Sequence, residues 1–417
     1  MNESIENVRV SGQARSEIQQ EELFDSVVIV SPFFWNFRDD MWQTTHHIAR
    51  AFAHMVPTVL VEPPPMWNPK NAEFRMHRLF HSLFGRRTRT AEPNLTVFHR
   101  RSFPFGRVKT IREFDVAQNA KALRRLLKDL GFRSTLLWHS FPYLSESLVE
   151  AVDHTLFAYH CLDYSPREEE ATLIKRADAV FCVSETLVQK HSLANPRTYL
   201  LPNGVDLTLF DADRAAPDTR PTDLPRNGRV IGFLGYVNYH VDIELLVEVA
   251  RAFPNETVVL VGRVPISQTV PQGRQLEALD TLRTLQNVRV LGFKPTSQVP
   301  LYIHAFDVCL IPFLPNRFNE ECDPLKFYQY LAMGKPIVSA PVAVAKRYRE
   351  ACYVAQSHEE FVRCISAAFE ESKATDLTEK RIALARTHGW PALVTQACQI
   401  LSQVRHSDAI QNPGKLG

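Results

Sequence analysis

Short β-branched apolar runs alternate with amphipathic helical stretches along nearly the whole 417-residue chain. That alternation restricts the fold more than any other feature. A parallel strand pair needs a crossover, usually a helix, so a chain of this pattern folds as parallel α/β layers. In the first half, strands are predicted at 26–31 (SVVIVS), 58–62, 135–138, 156–159, 179–183 and 199–201. A crossover helix is predicted around 42–55 and another over 115–130, where Leu123, Leu126, Leu127 and Leu130 share a face before Gly131 stops it. A second series follows at 229–234, 257–261, 288–291, 308–312 and 336–339.

Between the two series lie the turn LPNGVD (201–206) and a Pro/Asp/Arg-rich stretch at 211–227. Length alone favours two domains. The expected division is a flexible 1–24, a Rossmann-like domain over 25–212, a second over 226–388 and a disordered tail at 406–417. A helix over 389–405, with Leu393, Ala397, Ile400, Leu401 and Val404 on one face, is expected to return to the first domain. Two doubly wound sheets then face each other across a cleft at the carboxyl ends of their strands, where a site belongs.

With 45% hydrophobic and 23% charged residues the chain has the balance of a globular protein, and a net charge of +2 gives no field for nucleic acid. Seven cysteines without a CxxC pair read as reduced thiols, and no structural zinc is expected. The N-terminus lacks the apolar core of a signal peptide and no run is long enough to span a bilayer, so a cytoplasmic protein with at most peripheral membrane contact is expected. Between Arg75 and Arg112 stand ten Lys/Arg and one acid, Glu92, interleaved with Leu79, Phe80, Leu83, Phe84, Phe103 and Phe105. This is a solvated surface excursion or a patch for anionic lipid headgroups.

The most informative stretch is ECDPLKFYQYLAMGKPIV, residues 321–338. Asp323 is expected to cap a helix with Pro324 at its first position, and Gly334 ends it. The free N–H groups of such a helix end suit a diphosphate, and Lys326 in its first turn opposes the macrodipole unless an anion sits there. An ordinary capped helix with Lys326 in solvent is the bland alternative. Other candidates stand at strand ends: His139, then His160 and Asp163, with His46 and His47 after the Phe33-Phe34-Trp35 loop. The lone Asp211-Ala212-Asp213 reads as an acidic loop pair rather than a metal site. No GxGxxG follows either first strand, which disfavours a dinucleotide oxidoreductase.

Taken together, DPLKFYQYLAMGKPIV, NGVD (203–206), VIGFLGYVNYHVDIELL (230–246), VVLVGR (258–263), NVRVLGF (287–293) and AYHCLD (158–163) resemble the retaining, family-4-type glycosyltransferases of the GT-B fold. The resemblance runs from Val27 to about Leu401 and is nearest the capsule, exopolysaccharide and teichuronic-acid branch. It implies a retaining, metal-independent glycosyltransferase of cell-surface polysaccharide assembly, taking a nucleotide-diphosphate sugar and a glycan or lipid-linked glycan acceptor, with no cofactor. With a lipid-linked acceptor, the basic segment is expected to hold the protein peripherally on the inner membrane face, and no nucleic-acid partner is expected. By the family's E-x7-E motif, Glu321 would approach the transferred sugar and Gln329 would hold the donor ribose, an amide where a carboxylate is usual. The Arg and Lys that usually follow the second domain's first strand are absent after Gly235, where Tyr236, Asn238, His240 and Asp242 stand. Donor contacts are therefore expected from Gly235, Tyr236, Asn238, His240, Arg263, Phe293, Lys294, Asp323, Pro324, Leu325 and Gln329. Asp163, His139, Glu321 and Lys326 are expected to act in catalysis, and Trp35, His46 and His47 on the acceptor side. A nucleotide-sugar epimerase or hydrolase on the same scaffold, or a degenerate accessory subunit, remains as an alternative.

Overall fold

Two parallel sheets carry the fold in a computed structural model that describes residues 23–35, 42–64, 87–102, 108–140, 142, 149–165, 167–212, 220–264, 273–371 and 376–411. Much of the basic segment, part of the interdomain linker, the first 22 residues and the last six lie outside the described residues. The first sheet contains β1 (Ser26–Val30), β2 (Thr58–Val61), β3 (Thr88–Glu92), β4 (Leu95–Phe98), β5 (Thr135–His139), β6 (Leu156–Cys161), β7 (Ala179–Cys182) and β8 (Thr198–Leu200). Their order is β3-β4-β2-β1-β5-β6-β7-β8, all parallel except the β3–β4 hairpin. The second sheet runs β11 (Val288–Gly292), β10 (Thr257–Val261), β9 (Val230–Leu234), β12 (Val308–Ile311), β13 (Ile337–Ser339) and β14 (Tyr353–Val354). In each sheet the winding reverses beside the first strand, at β1/β5 and at β9/β12, so a crevice opens at each reversal.

Central strands are buried along their full length, all of β1 and β6 included, which is why they read as unbroken apolar runs. On one face of the first sheet pack α1 (Thr44–Ala53), through Ile48 and Phe52, and the final helix α13 (Trp390–Gln411), through Trp390, Leu393, Ala397, Leu401 and Val404. The opposite face is covered by α2 (Lys109–Asp129), α3 (Glu168–Arg176) and α4 (Glu185–Ser192). The second sheet lies between α5 (Ile243–Ala252), α6 (Arg274–Thr284) and α11 (His358–Glu370) on one side, and α7 (Val299–Ala305) and α9 (Leu325–Ala332) on the other. The intervening helices are α8 (Arg317–Glu321), α10 (Ala343–Arg347) and α12 (Asp376–Arg386).

The chain enters the core of the second domain directly after Gly204, since Val205, Phe210 and Leu224 pack there. It leaves at the same place. The Val205 N–H donates to the His388 carbonyl at 2.9 Å, and Val205 pairs with Gly389 in an isolated bridge. A Cβ on Gly204 would stand 2.5 Å from that carbonyl oxygen, so the two crossings touch only because residue 204 has no side chain.

The structure corrects one expectation for the basic segment. Residues 87–102 are not an excursion but a hairpin whose second strand joins β2, with Leu95, Val97 and Phe98 buried. Arg50 of α1 pairs with Glu92 at its edge. Asn119 of α2 accepts from Arg87 at 3.1 Å and from the Arg101 N–H at 2.8 Å, so part of the positive charge is built into the domain. Among the described residues no helix is long and apolar enough to cross a membrane.

The packing of α13 sets a measurable cost. Leu401 is fully buried between α13 and the first sheet, whereas Gln403 is exposed. Leu401→Ala should lower unfolding free energy by about 2–5 kcal/mol. Gln403→Ala should change it by less than about 0.5 kcal/mol. Denaturant midpoints of the two variants check the difference.

Candidate active site

The loops at the carboxyl ends of β9 and β10 approach each other as bare backbone. Gly235 and Gly262 have φ of 134° and 144°, conformations that only glycine adopts without strain. A Cβ on Gly262 would lie 2.0 Å from the Gly235 carbonyl oxygen, and one on Gly235 would lie 2.9 Å from Lys326 Nζ. The Gly235 N–H donates to Val261 at 2.9 Å and the Gly262 N–H to Gly292 at 2.8 Å, which locks the pair above the start of α9.

That helix starts one residue later than expected. Pro324 is the cap residue and Leu325 the first helical position, and the Asp323 carboxylate does not cap α9. It is spent on the other domain's chain instead. Asp323 Oδ2 accepts the Asn203 N–H at 2.7 Å, its backbone carbonyl accepts Asn203 Nδ2 at 2.5 Å, and both its oxygens face the Tyr328 hydroxyl at 3.0 and 3.1 Å. Asn203 Oδ1 in turn accepts from Thr44 Oγ1 of α1 at 2.6 Å. Burial pushes the Asp323 carboxyl up to about 7, against the opposing pull of Arg347 and the Asn203 N–H. The Phe327 N–H donates to the Pro324 carbonyl at 3.0 Å. With the Asp323 carboxylate turned away, the Leu325 and Lys326 N–H groups ahead of it have no acceptor inside the helix.

Lys326 is the electrostatic centre of this end. Its ammonium lies 4.7 Å from the Phe233 ring and 4.6 Å from the Phe313 ring, between two aromatic faces. Among the described residues it makes no hydrogen bond or ion pair, although Asp163 and Asp323 line the same cavity. Loss of water around the charge lowers its pKa from 10.5 to about 8. A cation held at a helix N-terminus, desolvated and unpaired, needs an anion to offset its cost.

Two cavities meet there. The smaller, about 220 Å³, is lined by Asp163, Tyr236, Asn238, His240, Asp323, Pro324 and Lys326, with Phe313, Phe318, Asn319 and Cys322. The larger, about 440 Å³, is lined on the second domain by Gly235, Tyr236, Arg263, Phe293, Lys294, Leu325 and Gln329. Its opposite wall is Trp42, Gln43 and His47 of the first domain with Trp390 of α13. Tyr236 borders both, so one extended ligand can occupy the two. Lys294 is held by Asp223 at 2.7 Å, and Arg263 lies over Phe293 at 5.6 Å. His240 stacks on Phe318 at 4.1 Å, and burial, then the charge of Lys326, lowers its pKa. Asp163 stands where its side chain still meets solvent, and crowding by protein, then the Asp323 charge, raises its carboxyl to about 7.

The remaining candidates, His47 excepted, stand apart from these walls. Glu321 lines neither cavity; it is buried, with Oε1 accepting from Arg317 at 3.0 Å and Oε2 without a partner among the described residues. His139 is buried against Phe157 and Tyr159. His160 is buried against Trp138 at 5.2 Å, and burial lowers its pKa to about 3. His46 sits among Phe33, Trp35 and Trp42, its Nδ1 taking the Gln43 N–H at 3.1 Å, while burial lowers its pKa to about 4. The Trp35 N–H donates to Glu62 at 2.8 Å, so this aromatic wall is anchored to the end of β2. His47 stacks flat on Trp390 at 5.0 Å, and burial lowers its pKa to about 3. Sequence reasoning did not select Asp206, Trp42 or Trp390, which all line the larger cavity. Asp206 belongs to the NGVD motif, and only that could have singled it out.

Comparisons with known proteins bear on the second domain and on the fold. Residues 228–371 match the model of the family described as glycosyl transferases group 1. TuaH of Bacillus subtilis (strain 168), named as a teichuronic acid biosynthesis glycosyltransferase, is 26% identical over 249 residues, which cover 58% of this chain and 61% of TuaH. The match thus spans less than two thirds of that relative. Among solved structures, a sucrose-phosphate synthase from Thermosynechococcus elongatus superposes with a TM-score of 0.67 at 15% identity, over 92% of this chain and 100% of that one. Anabaena HepE in complex with UDP gives 0.59 at 16% identity, over 91% and 100%. At such identities the structures speak for the fold alone. The second domain thus matches the model of the group 1 glycosyltransferases, and the whole-chain fold in which it is set is GT-B-like.

Proposed function

We propose that this protein transfers a sugar, with retention of configuration and without a metal ion, from a nucleotide-diphosphate donor to a glycan or lipid-linked glycan in cell-surface polysaccharide assembly. The observation that carries this reading is Lys326: a half-buried, desolvated ammonium with no ion pair among the described residues, at the N-terminus of α9, beside two backbone-lined glycine loops. A diphosphate in the smaller cavity would satisfy that charge and the free N–H groups together. The nucleoside would extend into the larger cavity, with its base near Arg263, Phe293 and Lys294 and its ribose at Gln329 and Asp206. HepE has been solved with UDP and with UDP-glucose, and TuaH is named for teichuronic acid, which supports the donor class and the polysaccharide role.

Catalysis on this reading is electrostatic. Lys326 and the α9 dipole stabilise the leaving diphosphate, and the acceptor, contacting Asp163, attacks on the face the diphosphate leaves. Trp35, Trp42 and His47 form the acceptor-side rim. The protein would act in the cytoplasm, on the inner membrane face, through the basic segment.

Four measurements test the proposal. At least one of UDP, GDP, ADP and dTDP should raise the melting temperature, a hundredfold excess over Kd adding about 2.7 kcal/mol; no shift with any of them rules out the donor site. Lys326→Ala should remove roughly 2–4 kcal/mol of transition-state stabilisation, read in kcat/KM. The pH dependence has two signs. Because the folded Lys326 titrates near 8 and the unfolded one near 10.5, the unfolded chain binds more protons in that window, and this group makes stability rise with pH. Nucleotide-diphosphate affinity should fall over the same window as the ammonium is lost, and the fall should disappear in Lys326→Met. Turnover should be independent of added magnesium or manganese.

A further inference from the structure

We propose that Cys161, Glu170 and His191 bind one zinc-type divalent ion, with its fourth position open to the cavity beside Tyr164. Cys161 ends β6, Glu170 lies in the first turn of α3, and His191 lies in the last turn of α4. All three are buried. Cys161 Sγ is 3.5 Å from Glu170 Oε1 and 3.6 Å from His191 Nε2, and the three atoms lie within 4.8 Å of one another. Zinc held tetrahedrally, at about 2.3 Å from sulfur and about 2.0–2.1 Å from nitrogen or oxygen, places neighbouring ligand atoms about 3.5 Å apart. Two edges of that tetrahedron therefore already have the right length.

The donor set selects the metal. A thiolate with an imidazole favours zinc over magnesium or calcium, which take oxygen ligands. The Tyr159 hydroxyl donates to Glu170 Oε1 at 2.8 Å, an outer contact of the kind that orients ligating carboxylates. A cavity of about 350 Å³, lined by Glu170 and His191 together with Tyr164, Lys190 and Arg317, leaves room for a solvent ligand. Binding displaces the Cys161 thiol proton to solvent. Thiolate and carboxylate then balance the divalent charge, so Lys190 and Arg317 face a neutral centre. The ion would pin the end of β6 to α3 and α4, and with it the loop that carries Asp163 two residues beyond Cys161.

The test uses the full chain, stripped of metal and titrated with cobalt(II). The expected result is one equivalent bound, with a thiolate-to-cobalt charge-transfer band and visible bands of tetrahedral strength, all displaced by zinc. Cys161→Ser should abolish the charge-transfer band. His191→Asn and Glu170→Gln should each weaken binding at least tenfold while far-ultraviolet circular dichroism stays that of the parent. Zinc should raise the melting temperature of the parent and not of His191→Asn, which keeps the test valid if Cys161→Ser fails to fold. Absence of a charge-transfer band in the parent overturns the proposal and leaves a hydrogen-bonded core cluster. So does cobalt binding unchanged in His191→Asn and Glu170→Gln.

Discussion

The exchange of hydrogen bonds between Asn203 and Asp323 holds the rest of the molecule in register. Asn203 gives its N–H and its amide to residue 323 and takes the Thr44 hydroxyl, so one side chain joins α1, the crossing strand and the start of α9. A buried carboxylate that serves a partner in this way cannot also cap its own helix. The uncapped end of α9 is therefore a product of how the domains are joined. Arg347 adds a second tie by pairing with Glu185 of α4. Leu325, one residue from Lys326, packs against the core of the first domain, so the position of the ammonium depends on interdomain contact.

The same joint explains why the site is costly. Asp163, Asp323 and Lys326 line one small cavity, and each has its pKa moved toward the neutral form by loss of water. Such groups destabilise the empty fold, and sites that bind charge commonly accept that cost for preorganisation. Phe233 and Phe313 hold the ammonium by their faces without neutralising it. A carboxylate in their place would stabilise the resting protein and compete with any incoming anion.

Strand sequences were readable where both faces are buried, because β1, β6 and β10 are continuous apolar runs. The β3–β4 hairpin was not, since TRTAE carries no apolar alternation and its basic surroundings suggested a surface loop. The first turns of α2 escaped notice for the same reason: Lys109 to Glu113 present little apolar face. At the site, the helix near Leu325 and its lysine followed from spacing and residue type, the Gly235 loop followed from the family resemblance, and Gly262 was not selected. The role of Asp323 did not, because its partner Asn203 is 120 residues away and no local signal separates a capping aspartate from one that bridges domains. Histidines at strand ends were similarly ambiguous: His240 lines a cavity, while His139 and His160 are packing groups. Cys161, Glu170 and His191 lie on three separate elements, so no motif spacing marks them.

The return of α13 bears on how this chain is made. Trp390, Leu393, Ala397, Leu401 and Val404 complete the apolar layer on the α1 face of a sheet whose strands were synthesised before the entire second domain. During translation the first domain must therefore wait with Phe24, Ile48 and Phe52 lacking their final cover while the second domain emerges and folds. Domains generally fold as units in order of synthesis, and apolar surface left open in the interval is a hazard for aggregation. Here a helix synthesised after the whole second domain closes the first, so a chain interrupted before that helix would hold a finished second domain and an unfinished first.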